Sequence, residues 1–210
     1  MTPDSFYDGG KFNSKKSSIL RVENMINEGA SIIDIGGYST RPGADTISLE
    51  DEWKRIEFII KESVIRFPST LISVDTFRSE IARRAINEGI HIINDVSGGS
   101  YDTKMFDVIA ENNIPYFLLH LRGTPKDMMS KTNYDNLIID IINYFRKKID
   151  KLKSLGINDI ILDPGFGFAK DFDQNFEILD NLNVFKTFDL PILVGLSRKS
   201  FIRKKYGIEN

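Results

Sequence analysis

The chain of 210 residues is 41% hydrophobic and 28% charged, enough to bury one sizeable core, and at this length a single domain is expected. Its 28 basic and 30 acidic residues leave a net charge of −2, which gives no bulk attraction to nucleic acid or to an anionic membrane. It contains no cysteine, which excludes disulfides and thiolate metal sites. No apolar run approaches the ~20 residues of a membrane span, and the start, Met1-Thr2-Pro3-Asp4, lacks the basic and apolar regions of a signal peptide. The expectation is a cytoplasmic protein with neither nucleic acid nor membrane as a partner.

Along the chain, short apolar runs alternate with amphipathic stretches. Ile19, Val22 and Ile26 keep helical spacing up to Gly29, a helix stop. A strand is expected over Ala30–Gly36. Ser48-Leu49-Glu50-Asp51 then reads as a capping start for a helix carrying Trp53, Ile56, Ile60 and Val64. Leu71–Asp75 is the second strand, and Ile81, Ala85 and Ile86 mark a helix that stops at Gly89. Strands at His91–Asn94 and Tyr116–His120 follow. Leu137, Ile141, Phe145, Ile149 and Leu152 define a long helix ending at Gly156. The last expected strands are Asp159–Asp163 and Ile192–Leu196.

All six strands are rich in Ile, Val, Leu and Phe, as expected of parallel strands covered on both faces. Strict β-α alternation calls for a parallel sheet, either open and doubly wound or closed into a barrel, and periodicity alone does not choose between them. An eight-fold barrel needs about 250 residues. If the fold is a barrel, one strand is expected before Met1 and one after Asn210.

In parallel α/β folds ligands bind at the carboxyl ends of the strands. The residues following each apolar run are Gly36-Gly37-Tyr38-Ser39-Thr40-Arg41, Asp75-Thr76, Asn94-Asp95, His120-Leu121-Arg122-Gly123, Asp163-Pro164-Gly165-Phe166-Gly167 and Ser197-Arg198-Lys199-Ser200. A strand-terminal Asp often caps the next helix, but six polar ends converging on one rim point to a site. Asp75, Asn94 and Asp163 suit a flat, nitrogen-rich heterocycle, because a carboxylate matches a ring N–H beside an exocyclic amine by two parallel bonds. Arg41, Arg122, Arg198 and Lys199 suit a phosphate or carboxylate. His91 reads as structural, and His120 is as much a loop-shaping residue as a ligand. Trp53, Phe106, Phe145 and Phe176 read as packing, and the basic run Arg198–Lys205 otherwise reads as a solvated helix face.

The strand-end motifs resemble those of dihydropteroate synthases. Thr2-Pro3-Asp4-Ser5-Phe6-Tyr7-Asp8-Gly9-Gly10 resembles the family's first signature loop, and Gly36-Gly37-Tyr38-Ser39-Thr40-Arg41-Pro42-Gly43 its second. Ser73-Val74-Asp75-Thr76, Ile93-Asn94-Asp95, His120-Leu121-Arg122-Gly123-Thr124-Pro125, Asp163-Pro164-Gly165-Phe166-Gly167-Phe168 and Gly195-Leu196-Ser197-Arg198-Lys199-Ser200 follow in the family's order.

The resemblance implies one pterin-binding domain over 1–210, a (β/α)8 TIM-type barrel incomplete at both ends. The implied reaction joins p-aminobenzoate to 6-hydroxymethyl-7,8-dihydropterin diphosphate, in folate biosynthesis, with magnesium assisting the departure of diphosphate. It gives Asp75, Asn94, Asp163 and Lys199 to the pterin, and places Thr40 and Arg41 near the diphosphate and the p-aminobenzoate end. Pro42 and Phe168 flank the p-aminobenzoate pocket, and the first loop (Thr2, Pro3, Asp4, Phe6) closes over it. No side chain acts as a nucleophile. Leu121 stands where the family commonly has methionine. The family's metal-binding asparagine and its Arg-x-His strand fall outside this sequence, so low turnover by this chain alone is expected. A homodimer through late helices is also implied. The rival readings are a pterin-binding methyltransferase-type barrel and a non-catalytic fragment.

Overall fold

In a computed structural model of the chain, residues 15–39 and 46–207 are described. The elements are α1 (Lys15–Asn27), β1 (Ile32–Gly36), α2 (Leu49–Arg66), β2 (Leu71–Asp75), α3 (Ser79–Asn87), β3 (Ile92–Asp95), α4 (Met105–Asn112), β4 (Tyr116–Leu119), α5 (Leu137–Ser154), β5 (Ile160–Asp163), α6 (Phe172–Asp180) and α7 (Ser200–Tyr206). A 3₁₀ segment at Leu182–Phe188 follows α6.

The strands pair in parallel in the order β1-β2-β3-β4-β5. This order decides between the two parallel architectures. A doubly wound sheet reverses strand order at a switch point, whereas consecutive neighbours with same-handed crossovers send every helix to one face, as in a barrel. The fold is of the (β/α) barrel type.

The consequence is two unlike faces. Ile33, Ile35, Ile72, Val74, Ile93, Tyr116, Leu118, Ile160 and Leu162 point outward into one buried core with the helices. Side chains alternate along a strand, so Asp34, Ser73, Asp75 and Asn94 share the opposite face. The few polar residues within the apolar strands thus gather on the inner side, at four adjoining positions.

Local chemistry accounts for the helices. The Ser48 hydroxyl accepts from the Asp51 N–H at 3.0 Å and so caps α2. Gly29, Gly89 and Gly156, the three expected stops, all have positive φ, a conformation that glycine adopts without a Cβ penalty. In α5 the five residues marked by periodicity, Leu137, Ile141, Phe145, Ile149 and Leu152, are all buried. Phe145 meets Phe185 and Phe188 edge-on at 6.0 and 6.1 Å between ring centres, which fastens the segment after α6 onto α5.

The sixth expected strand, Ile192–Leu196, is corrected to a single parallel bridge between Ile192 and Leu162. Two backbone bonds hold it, Leu162 N–H to Pro191 O and Leu193 N–H to Leu162 O. Pro191 has no N–H to add, and Val194 and Gly195 are exposed, so the ladder stops after one rung.

Candidate active site

At the inner face the register aligns Asp34 with Ser73, and Gly36 with Asp75 and then Asn94. The Asp34 carboxylate accepts from the Ser73 hydroxyl and, at 3.0 Å, from Asn94 Nδ2. Burial, followed by the negative charge of Asp34, holds the Asp75 carboxyl well above the usual range. Across the sheet, Asp163 is buried at the end of β5 and accepts from the Gly165 N–H at 2.7 Å. Burial raises its pKa as well, against the opposing pull of that N–H, Lys199 and Lys170.

The chain following Asp163 is gripped by two lysines. Lys170, 2% exposed, reaches His120 Nδ1 at 3.0 Å, Gly165 O at 3.1 Å and Phe168 O at 2.9 Å, with His120 O a longer 3.4 Å away. Lys199, at the start of α7, donates to Phe166 O at 2.8 Å and stands 4.9 Å from the centre of the Phe168 ring. Burial lowers the pKa of both, that of Lys170 to about 7. Gly165 has to be glycine: its φ is +75°, and a Cβ would lie 2.1 Å from His120 O. Phe168 packs against a small apolar cluster of Val96, Leu119, Leu121, Met128 and Ala169.

The expected residues divide accordingly. Asp75 and Asn94 meet on the inner face, and Asp163, Phe168 and Lys199 meet around the Gly165–Phe168 turn. Thr2, Pro3, Asp4, Phe6, Thr40, Arg41 and Pro42 lie outside the described residues. Arg122, expected at an anion, instead donates to Asn133 O at 2.9 Å and lies over the Tyr134 ring. His120 is buried and held by Lys170, which bears out loop shaping: burial and the nearby cations push its pKa well down, so the ring is neutral with Nδ1 as acceptor. His91 is structural, its Nδ1 accepting from the Ile72 N–H at 3.1 Å. Asp95 turns outward and is consumed by the Ser97 and Gly99 N–H groups and the Tyr116 hydroxyl.

Four participants were not anticipated. Asp34 and Ser73 interrupt apolar runs at the period of the inner face, and that alternation was the available signal. Lys170 precedes a helix cap and had the appearance of a solvated lysine. Glu52, in α2, is fully buried and accepts from Thr76 at 2.7 Å and from Arg78 at 2.8 Å, while Arg78 also holds Ile47 O.

A barrel-type parallel sheet with an acidic inner floor, and with Lys199 beside Asp163, has the chemistry to hold a polar aromatic heterocycle. A family profile described as "Pterin binding enzyme" matches residues 1–209. The chain is 44% identical over 205 residues to the dihydropteroate synthase of Synechocystis sp., covering 97% of this chain and 71% of that protein. The crystal structure of Yersinia pestis dihydropteroate synthase with a sulfonamide drug superposes with a TM-score of 0.92 at 36% identity, over 98% of this chain and 75% of that one. That of the Xanthomonas albilineans enzyme with 4-aminobenzoic acid does so with 0.90 at 34% identity, over 100% and 74%. The chain belongs to the pterin-binding enzymes and, within them, to the dihydropteroate synthase family.

Among the described residues, no group of three or more His, Cys, Asp or Glu side chains is arranged to hold a metal ion, and no helix is long and apolar enough to cross a membrane.

Proposed function

We propose that the chain binds 6-hydroxymethyl-7,8-dihydropterin diphosphate against the inner face and transfers its pterin-methyl group to p-aminobenzoate. The products are 7,8-dihydropteroate and diphosphate. What supports this reading is that Asp75 and Asn94 pair on the inner face while Lys199 stands near Asp163 at the end of β5, with both carboxyl pKa values raised by burial. An enclosed carboxyl of this kind is costly alone and gains most from a ligand that supplies N–H donors. Asp163 takes the amidine-like edge, Asn94 and Asp75 the adjoining ring nitrogens, and Lys199 lies toward the ring face.

In the reaction the amine lone pair of p-aminobenzoate forms the new N–C bond to the methylene. The C–O bond breaks with its electron pair leaving on diphosphate, and the amine gives up one proton. Negative charge grows on the leaving group and positive charge on the methylene. The carboxylates of the floor stabilise the second, and cations near the mouth, including Arg41 from the second loop, stabilise the first. No side-chain nucleophile is needed. Thr40 and Arg41 are assigned to the diphosphate and p-aminobenzoate end, Pro42 and Phe168 to the p-aminobenzoate ring, and Thr2, Pro3, Asp4 and Phe6 to the covering loop. Magnesium typically binds through one or two carboxylates and the substrate phosphates rather than in an all-protein cage. One domain over 1–210, a cytoplasmic location and a homodimer complete the reading.

The test is twofold. Release of diphosphate should depend on p-aminobenzoate, which a methyl-carrying barrel would not require. Asp163→Asn should weaken the pterin diphosphate about tenfold or more by calorimetry, since a bond to a charged acceptor is lost. Unchanged affinity would remove Asp163 from the pterin site.

A further inference from the structure

Asp34 lies on β1 beside Ser73, two residues before the level of Asp75 in the register, and is half-buried on the inner face. Its two oxygens face two donors: Oδ1 accepts from Ser73 of β2, and Oδ2 accepts from Asn94 Nδ2 of β3 at 3.0 Å. An ionised carboxylate accepts hydrogen bonds and cannot donate them. That settles a choice which an asparagine otherwise leaves open. With Asp34 in place, Asn94 has to turn its amino group toward β1. A flipped amide would set Oδ1 against Asp34 Oδ2, acceptor against acceptor, and forfeit the Asn94–Asp34 bond. The ligand side of Asn94 is thereby defined as the Oδ1 acceptor together with the second N–H.

We propose that Asp34 is a positioning residue for the heterocycle, acting through Asn94 by fixing which end of its amide faces the ligand. This rests on the reading that Asn94 meets the pterin. A pterin edge presents N–H donors and ring-nitrogen acceptors in a fixed order, and a wrongly turned amide would set donor against donor. An amide held before the ligand arrives also spares the ligand the ordering of that side chain. The geometry gives Ser73 a subordinate part: it occupies the other Asp34 oxygen and steadies the carboxylate.

A competing route exists within the same cluster. The charge of Asp34 is second only to burial in raising the Asp75 pKa, which gives it a second route, through Asp75. A double-mutant cycle separates the two routes. The binding of 6-hydroxymethyl-7,8-dihydropterin diphosphate is measured by calorimetry at one pH for the full chain and for Asp34→Leu, Asn94→Ala and the double variant, with circular dichroism as a check on folding. Asp34→Leu should weaken binding about tenfold in the parent, the loss typical of one charge-assisted hydrogen bond. In the Asn94→Ala background the same substitution should change affinity less than twofold.

An equal loss in both backgrounds would overturn the proposal and point to Asp75. No loss in the parent would overturn it outright. If Asn94→Ala itself leaves affinity unchanged, the pterin assignment of Asn94 fails first, and Asp34 loses its route with it. Should Asp34→Leu not fold, Asp34→Ala carries the same cycle, because the half-buried position lets water occupy the vacated volume.

Discussion

Lys170 offers the sharpest physical test of how the site is built. It is enclosed, with three N–H donors directed at His120 Nδ1, Gly165 O and Phe168 O, and replacing it with methionine keeps the length while removing charge and donors. Two large terms then oppose each other. Each stranded acceptor costs ~1–3 kcal/mol. Against this, burial has brought the lysine from 10.5 down to about 7, and at ~1.4 kcal/mol per pH unit its removal relieves about 4 kcal/mol at pH 7. With three acceptors stranded, the variant near pH 7 should lie between about 1 kcal/mol more stable and about 5 kcal/mol less stable than the parent.

The pH dependence separates the two terms. In the unfolded chain Lys170 keeps its proton up to about 10.5, and in the folded chain it releases it near 7. Between those values the unfolded state binds more protons, so this residue makes stability rise with pH, by about 2 kcal/mol from pH 7 to pH 9. The methionine variant lacks that rise and should fall behind the parent by the same amount. The neighbouring charged groups are Asp163, Lys199 and Arg122, and His120 titrates below this window. Urea unfolding at pH 7, 8 and 9 measures the difference. A parent-minus-variant stability that is constant over this range would refute the reasoning, because Lys170 would then not titrate there.

Two further substitutions probe the frame around the site. Gly165→Ala should cost well over 2 kcal/mol in urea unfolding, since it adds a positive-φ penalty to a Cβ placed 2.1 Å from a backbone oxygen, and should reduce pterin affinity with it. A variant as stable as the parent would show that the turn can move. Glu52→Gln keeps its volume but leaves Arg78 without its charged partner; a loss of about 3 kcal/mol is expected, and one below ~1 kcal/mol would mean that the Glu52–Arg78 pair does not brace α2.

The helices and most strands were legible because apolar periodicity records the outward face. Leu71–Asp75 and the five buried residues of α5 are found as read, and Ser48 caps the helix it was expected to start. Ile192–Leu196 has the same composition as a strand but forms one rung, because composition reports apolar demand and not the presence of a pairing partner. The strand-end motifs singled out Asp75 and Asn94, which pair on the inner face, and Asp163 and Lys199, which lie near each other at the Gly165–Phe168 turn. Lys170 was illegible for a different reason: its burial comes from the fold of the turn above it, and nothing in its neighbours along the chain distinguishes it from a solvated lysine.

Asp34 lies between these cases, and it indicates how the two faces divide their duties. Ile33 and Ile35 on either side of it are fully buried against the helices, while Asp34 itself faces Ser73 and Asn94. A carboxylate in the middle of a five-residue strand contributes nothing to that hydrophobic layer, and desolvating it is a cost. The inner face, polar at Asp34, Ser73, Asp75 and Asn94, answers to a different demand from the packed outer face. The period of two lets both demands be met by the same strand, since adjacent residues never share a face. Substitutions at Ile33 or Ile35 are therefore expected to lower stability, whereas those at Asp34 or Asn94 are expected, on the proposed assignment, to alter ligand recognition.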